Sequence, residues 1–213
     1  MNLPVIVIGA GGHGRVIADA LLMSGRIVIG FLEVNLDLHG KIIDEMKVLG
    51  GDDLLSEYSP DAINLANGIG STVSTEARRT VYERLKRGGY RFETVCHPSA
   101  IIARSAQICS GVQIMAGAVI QPGAIVGENT IINTGAVVDH GCIIGKHCHV
   151  APGAVLSGDV HIGNGCHIGV HACVIQGLRV GDKAMMAAGA VVTRDVAPGA
   201  HVAGVPARIM ENQ

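Results

Sequence analysis

The sequence predicts two folds in series, α/β plus all-β: a small Rossmann-like N-terminal domain over residues 1–97, then a parallel β-helix with a C-terminal tail over residues 98–213. Three observations predict it. A glycine-rich turn follows the first apolar run, an aliphatic residue or Met recurs at every sixth position from Ile102 to Val192, and all the aromatic residues, two Phe and three Tyr with no Trp, precede residue 98.

The opening segment PVIVIGAGGHGRVIADALLMSG reads as strand, glycine turn and amphipathic helix. Gly9, Gly11 and Gly14 satisfy GxGxxG in that context, which lets backbone approach a phosphate at a helix start. RIVIGFLE is a second strand ending at Glu33, about where a dinucleotide fold places its ribose-binding acid. A region that closes near residue 97 holds about three or four βα units, too few for a full doubly wound sheet. A pyrophosphate ligand smaller than a dinucleotide is therefore favoured over NAD or over a turn that only packs. His13 lies inside the turn, placed either to meet phosphate or sugar or to cap local backbone. DAINLANGIGS supplies a third strand and a loop whose Gly68 and Gly70 approach the same ligand. STEARRTVYERLKRGG is a helix ending at a glycine pair, with its arginines assigned to the surface.

From Ile102 to Val192 sixteen consecutive sixth positions are aliphatic or Met, and a small residue follows most of them by four. A period of six belongs to neither strand nor helix, so each unit is a short strand plus a turn. Three units make one triangular coil of eighteen residues, and successive coils pair like parallel strands about 4.8 Å apart. About five coils result. Aliphatic side chains fill the prism, and Cys142, Cys148 and Cys166 fall at small inward positions, not at reactive ones.

Other classes are excluded by composition. A formal net charge of -2 and five aromatics give nucleic acid neither a basic surface nor stacking platforms. No basic segment precedes a signal-type apolar run and no eighteen-residue apolar stretch occurs, so the chain reads as cytoplasmic, with no membrane partner. Six Cys without a CxxC pair support neither a disulfide framework nor zinc, and no metal is expected.

The histidines sort by the same count. His140 lies two residues after inward Val138, hence at a turn edge, where a neutral imidazole is open to accept a proton. His149 and His167, eighteen apart, share another column. His147, His161 and His171 are assigned to solvent or subunit faces. A β-helix has flat faces and no enclosed pocket, so a site needs a second wall from another domain or another copy.

VIGAGGHGRV, VLGGDDLL, CHPSA, INTGAVVDHG and the terminal AGVPARI, together with the sixfold series, resemble the hexapeptide-repeat sugar O-/N-acyltransferases, a group that includes sialic acid O-acetyltransferase-like proteins. The chain is most similar to bacterial N-acetyltransferases of nucleotide amino sugars of the UDP-N-acetylbacillosamine and perosamine type. The resemblance covers nearly the whole chain. It implies that the β-helix is left-handed, which the spacing leaves open, and that acetyl-CoA lies along it between subunits of a homotrimer. It implies His140 as general base, Asp139 as the nearest acid to orient it, and His149 with the backbone around Gly158, Val170 and Ala188 as cofactor contacts. For the nucleotide sugar it implies Gly11, Gly12, His13, Glu33, Val34 and Gly68. Two departures stand out: many relatives have an Asp pair where this chain has Glu33-Val34, and some have an acid where it has Gly141.

The implied reaction is direct acetyl transfer to the amino group of a nucleotide-activated 4-amino-4,6-dideoxy sugar, UDP-linked by preference. His140 takes the amine proton as nitrogen attacks the thioester, and a backbone N–H steadies the oxyanion. The alternatives are GDP-perosamine as acceptor, O-acetylation of sialic acid or another sugar, and a non-catalytic nucleotide-binding scaffold. The terminal AGVPARIM either brings Arg208 to the CoA phosphates or simply caps the last coil.

Overall fold

A computed structural model describes residues 3–71 and 74–210. In the N-terminal domain β1 (Val5–Ile8), β2 (Val28–Leu32), β5 (Asn64–Asn67) and β6 (Arg91–Phe92) run parallel. β3 (Ile42–Ile43) and β4 (Met46–Gly50) form a hairpin at one edge, and the sheet order is β3-β4-β2-β1-β5-β6. Its α-helices among the described residues are α1 (Gly12–Met23) and α2 (Glu76–Arg87), fewer than three or four βα units require. The stretch between β2 and β5 is spent on the hairpin and two short 3-10 turns instead. β1 is buried along its whole length because helices cover both faces of a parallel sheet.

The β-helix begins at Val95–Cys96, whose pairing partner is Gln113–Ile114, so its first rung is laid before residue 97. Thereafter each two-residue rung pairs in parallel with the rung eighteen residues on, as in Val119↔Val137 and Ile125↔Ile143. Three sheets result, which we call the first face (rungs such as Gln113–Ile114 and His149–Val150), the second (Val137–Val138) and the third (Ile143–Ile144). The second residue of each rung points inward. Ile114, Val138, Ile144, Val150 and Ile168 are all sealed from solvent, as are Cys142, Cys148 and Cys166 at the corners.

The outward residues distinguish the faces. On the first face Gln113, Ile131 and His149 are buried, because the N-terminal domain sits on it. On the second, Ile101, Val119, Val137, Val155, Cys173 and Val191 form one small apolar column, Ile101 exposed and the rest half-buried. The tail Arg208–Ile209 turns back antiparallel on His201–Ala203 and covers the last rung.

Two side chains depart from the sequence reading at the domain seam. Arg78, assigned to the surface, is 1% exposed. Its guanidinium donates to the carbonyls of Asn67 (2.6 Å), Ile69 (2.8 Å) and Asn129 (3.3 Å), tying α2, the loop after β5 and a β-helix corner together. His147, assigned to an open face, is 8% exposed. It meets Tyr82 of α2 edge-on and takes a hydrogen bond from Asn129 at 3.0 Å. Both are buried by the packing of one domain on the other, which neither repeat nor helix pattern encodes.

Candidate functional site

The glycine turn is shaped by close packing. A Cβ on Gly14 would collide with the Gly9 carbonyl oxygen, and one on Gly68 would come within 2.7 Å of the Gly14 Cα, so α1 settles directly against the ends of β1 and β5. A Cβ on Gly11 or Gly12 would meet nothing within 4 Å, so both face open space. α1 therefore starts with its first N–H groups uncapped by any side chain. Beside them Glu33, just past β2, accepts from the backbone N–H of Ala10 (2.9 Å) and of Asn35 (3.1 Å).

A cavity of about 750 Å³ opens between this turn and the first face of the β-helix. Gly11, Gly12, His13, Glu33, Val34 and Gly68 all border it, so the residues implied for a nucleotide sugar are brought together. Asn133 and His149 form its opposite wall. His149 is held on both ring nitrogens: Nδ1 lies 3.0 Å from the Ser71 carbonyl oxygen and 2.7 Å from its Oγ, and Nε2 lies 2.9 Å from Asn133 Nδ2. Because the Ser71 carbonyl can only accept, Nδ1 carries the proton and Nε2 accepts from the amide. Burial, with the charges of His167, His13 and Arg78 adding, pushes its pKa down to about 3, so it is a neutral clamp. His167 pairs with it in register on the next coil, rings 5.0 Å apart and perpendicular, as the spacing requires.

His140 stands elsewhere. It is exposed at the corner between the second and third faces, whereas the cavity lies over the first. Its ring lies along the coil axis over Gly158, where a Cβ would come within 2.6 Å of Nε2. The Asp139 carboxylate accepts from the backbone N–H of His140 at 2.7 Å, which fixes the turn instead of the imidazole. A second acid is close by, since Asp159 of the next coil packs its carboxylate on Gly141 and donates its N–H to the His140 carbonyl at 2.9 Å. Sequence reading missed Asp159, although nineteen residues after His140 is one coil plus one.

Val170 and Ala188 are exposed on the corner that joins the first and second faces, one coil apart. They and the His140–Gly158 pair thus flank the apolar second face from opposite edges. Arg208 lies exposed on the tail, its guanidinium bonded to the neighbouring Ala207 carbonyl. Among the described residues no three His, Cys, Asp or Glu side chains converge as metal ligands, and no helix is long and apolar enough to cross a membrane.

Comparison with known proteins agrees with this two-part anatomy. The PglD N-terminal domain family matches residues 4–85. The bacterial transferase hexapeptide family (six repeats) matches residues 105–140 and 123–158, and the hexapeptide repeat of succinyl-transferase matches 159–194. The acetyltransferase domain of PglB from Neisseria gonorrhoeae, solved with acetyl coenzyme A, is 34% identical with a TM-score of 0.92 over 99% of this chain and 100% of that one. A histidine-to-asparagine mutant of perosamine N-acetyltransferase from Caulobacter crescentus, solved with CoA and GDP-perosamine, is 31% identical with a TM-score of 0.91 over 98% and 97% of the two chains. WeeI from Acinetobacter baumannii shares 25% identity with a TM-score of 0.86 over 98% and 100%. No curated protein sequence matches. With domain order, repeat and whole-chain superposition in agreement, the chain belongs to the hexapeptide-repeat acetyltransferases that carry a PglD-type N-terminal domain, a family of left-handed parallel β-helices.

Proposed function

We propose that the protein is an acetyl-CoA-dependent N-acetyltransferase acting on the amino group of a nucleotide-activated 4-amino-4,6-dideoxy sugar, UDP-linked by preference, with His140 as general base. The observation that carries this is the cavity between glycine turn and β-helix, with uncapped helix N–H groups at one side to meet a diphosphate. Related enzymes of known structure were solved with acetyl coenzyme A and with GDP-perosamine, which supports both ligand classes.

The arrangement within one chain leaves the cavity on the first face and His140 at the opposite corner. A complete site then requires a second copy to bring its His140 to the cavity, and a homotrimer with sites between subunits satisfies this for every copy. The second face suits the acyl donor: Val137, Val155 and Cys173 offer an apolar strip free of bulky groups, between His140 on one edge and Val170 and Ala188 on the other. Acetyl-CoA, when bound there, supplies an activated acyl group with a thiolate leaving group. The chain's own part is to hold the amine, take its proton at the His140 imidazole and exclude water. Asp139 and Asp159 contribute by setting the turn that carries His140.

The test is thiol release from acetyl-CoA with UDP-, GDP- and dTDP-linked 4-amino sugars and with free sialic acid. Turnover is expected with a nucleotide-linked amine; acetylation of sialic acid alone would overturn the proposal.

A further inference from the structure

His13 borders the cavity and reaches across the seam to the β-helix, where its Nε2 lies 2.8 Å from Gln113 Oε1. The proton position in this pair is fixed by atoms outside it. Gln113 Nε2 donates at 2.7 Å to the backbone carbonyl of Asn67, which can only accept, so the other end of the Gln113 amide must be its oxygen. That carbonyl is held in turn by the buried Arg78 guanidinium at 2.6 Å. An amide oxygen cannot donate; His13 therefore carries its proton on Nε2, and Nδ1 is left as a lone pair. No bond from Nδ1 to a described residue accompanies this one. Packing against Gly70, where a Cβ would come within 3.3 Å of the His13 Cβ, restrains the ring from the other side.

A lone pair repels phosphate oxygen and attracts O–H or N–H. We infer that His13 is a specificity-determining acceptor: its Nδ1 receives a hydrogen bond from a hydroxyl or amino group on the sugar of the ligand, while the phosphates are left to the open backbone of Gly11 and Gly12. This rests on the nucleotide-sugar reading above and assigns a chemical sense to one contact within it. Gln113 is the positioning residue, acting from the β-helix on a ring in the N-terminal domain. Burial together with the Arg78 charge pushes the His13 pKa down to about 4, which keeps the ring neutral at pH 7.

The experiment uses the full chain and three readouts. Nitrogen-15 NMR of the imidazoles, with His13→Ala to assign the signal, should show the Nε2–H tautomer in the ligand-free protein; an Nδ1–H tautomer or a cation at pH 7 overturns the inference. Titration with UDP and with a UDP-4-amino sugar should show His13→Ala losing roughly tenfold in affinity for the sugar nucleotide and little for UDP. Equal loss for both would make His13 a phosphate ligand and overturn it. Gln113→Glu, which draws a second proton onto the ring, should weaken the sugar nucleotide comparably and make its affinity rise with pH; unchanged affinity and pH profile overturn it. Wild-type protein that binds neither ligand would instead defeat the nucleotide-sugar reading, whatever the tautomer.

Discussion

The imidazole of His140 rests on the Cα of Gly158 in the following coil, so closely that a Cβ there would come within 2.6 Å of Nε2. Glycine at this position is a matter of space, since the backbone of Gly158 is outside the left-handed region that excludes side chains. Gly158→Ala is therefore expected to fold and to push the ring off its axis. kcat should fall roughly 10- to 100-fold, the scale of a misplaced general base, with Tm changed by no more than about a few degrees. Wild-type kcat in the alanine variant would show that the ring's resting position is irrelevant.

Removing the proposed base outright gives a sharper expectation. His140→Ala should lower kcat by about 10²–10⁴ with KM for the sugar nucleotide nearly unchanged, because in the proposed reading the glycine turn and its cavity, and not the imidazole, supply the grip on the nucleotide. Full transferase activity would sink the assignment.

Arg78→Ala tests the seam. The wild-type guanidinium supplies the carbonyls of Asn67, Ile69 and Asn129 with donors in a region closed to water. Truncation leaves them short of partners and should cost roughly 2–4 kcal/mol, read as a lower urea midpoint. A midpoint equal to wild type would mean that water replaces the side chain without loss.

Stability should decline on acidification. Burial is the leading cause that holds His13 at about 4 and His149 at about 3, and it lowers His147 and His167 as well. Each titrates near 6.5 in the unfolded chain, so as pH falls below about 6.5 the unfolded state takes up protons first and the native state loses ground, until the folded pKa is reached. Between pH 7 and 5, His13 and His149 should each remove on the order of 1–2 kcal/mol. Denaturant midpoints at the two pH values check this, and equal or greater stability at pH 5 would contradict it.

The sixfold series made the prism legible down to individual inward positions, because one side chain in six has nowhere else to go. It could not say which outward face the first domain would cover. His147 therefore looked like a surface residue, and nothing marked Gln113 or His149 as buried, until the domains were placed together. One local signal was present. The third residue of most corner turns has a positive φ and is often Gly, as at Gly141 and Gly165, yet Asn129 and His147 hold that position at φ 56 and 58, as Asp159, His171 and Lys183 do farther along the stack. A side chain kept where glycine is easier points to a job for that side chain, at Asn129 and His147 the seam. Glu33 was placed correctly at the end of the second strand, but its bonds to Ala10 and Asn35 depend on how two loops meet.

The coil stack also measures length. His140 and Ala188 are 48 residues apart in numbering, between two and three coils, or about 13 Å along the axis at about 4.8 Å per coil. Adding or deleting one eighteen-residue coil between them would change that span by a single fixed step without altering any rung's pairing rule. In the proposed reading the reach between His140 and the far end of the donor is thus set digitally, by counting turns of the chain, while the imidazole itself stays where it is.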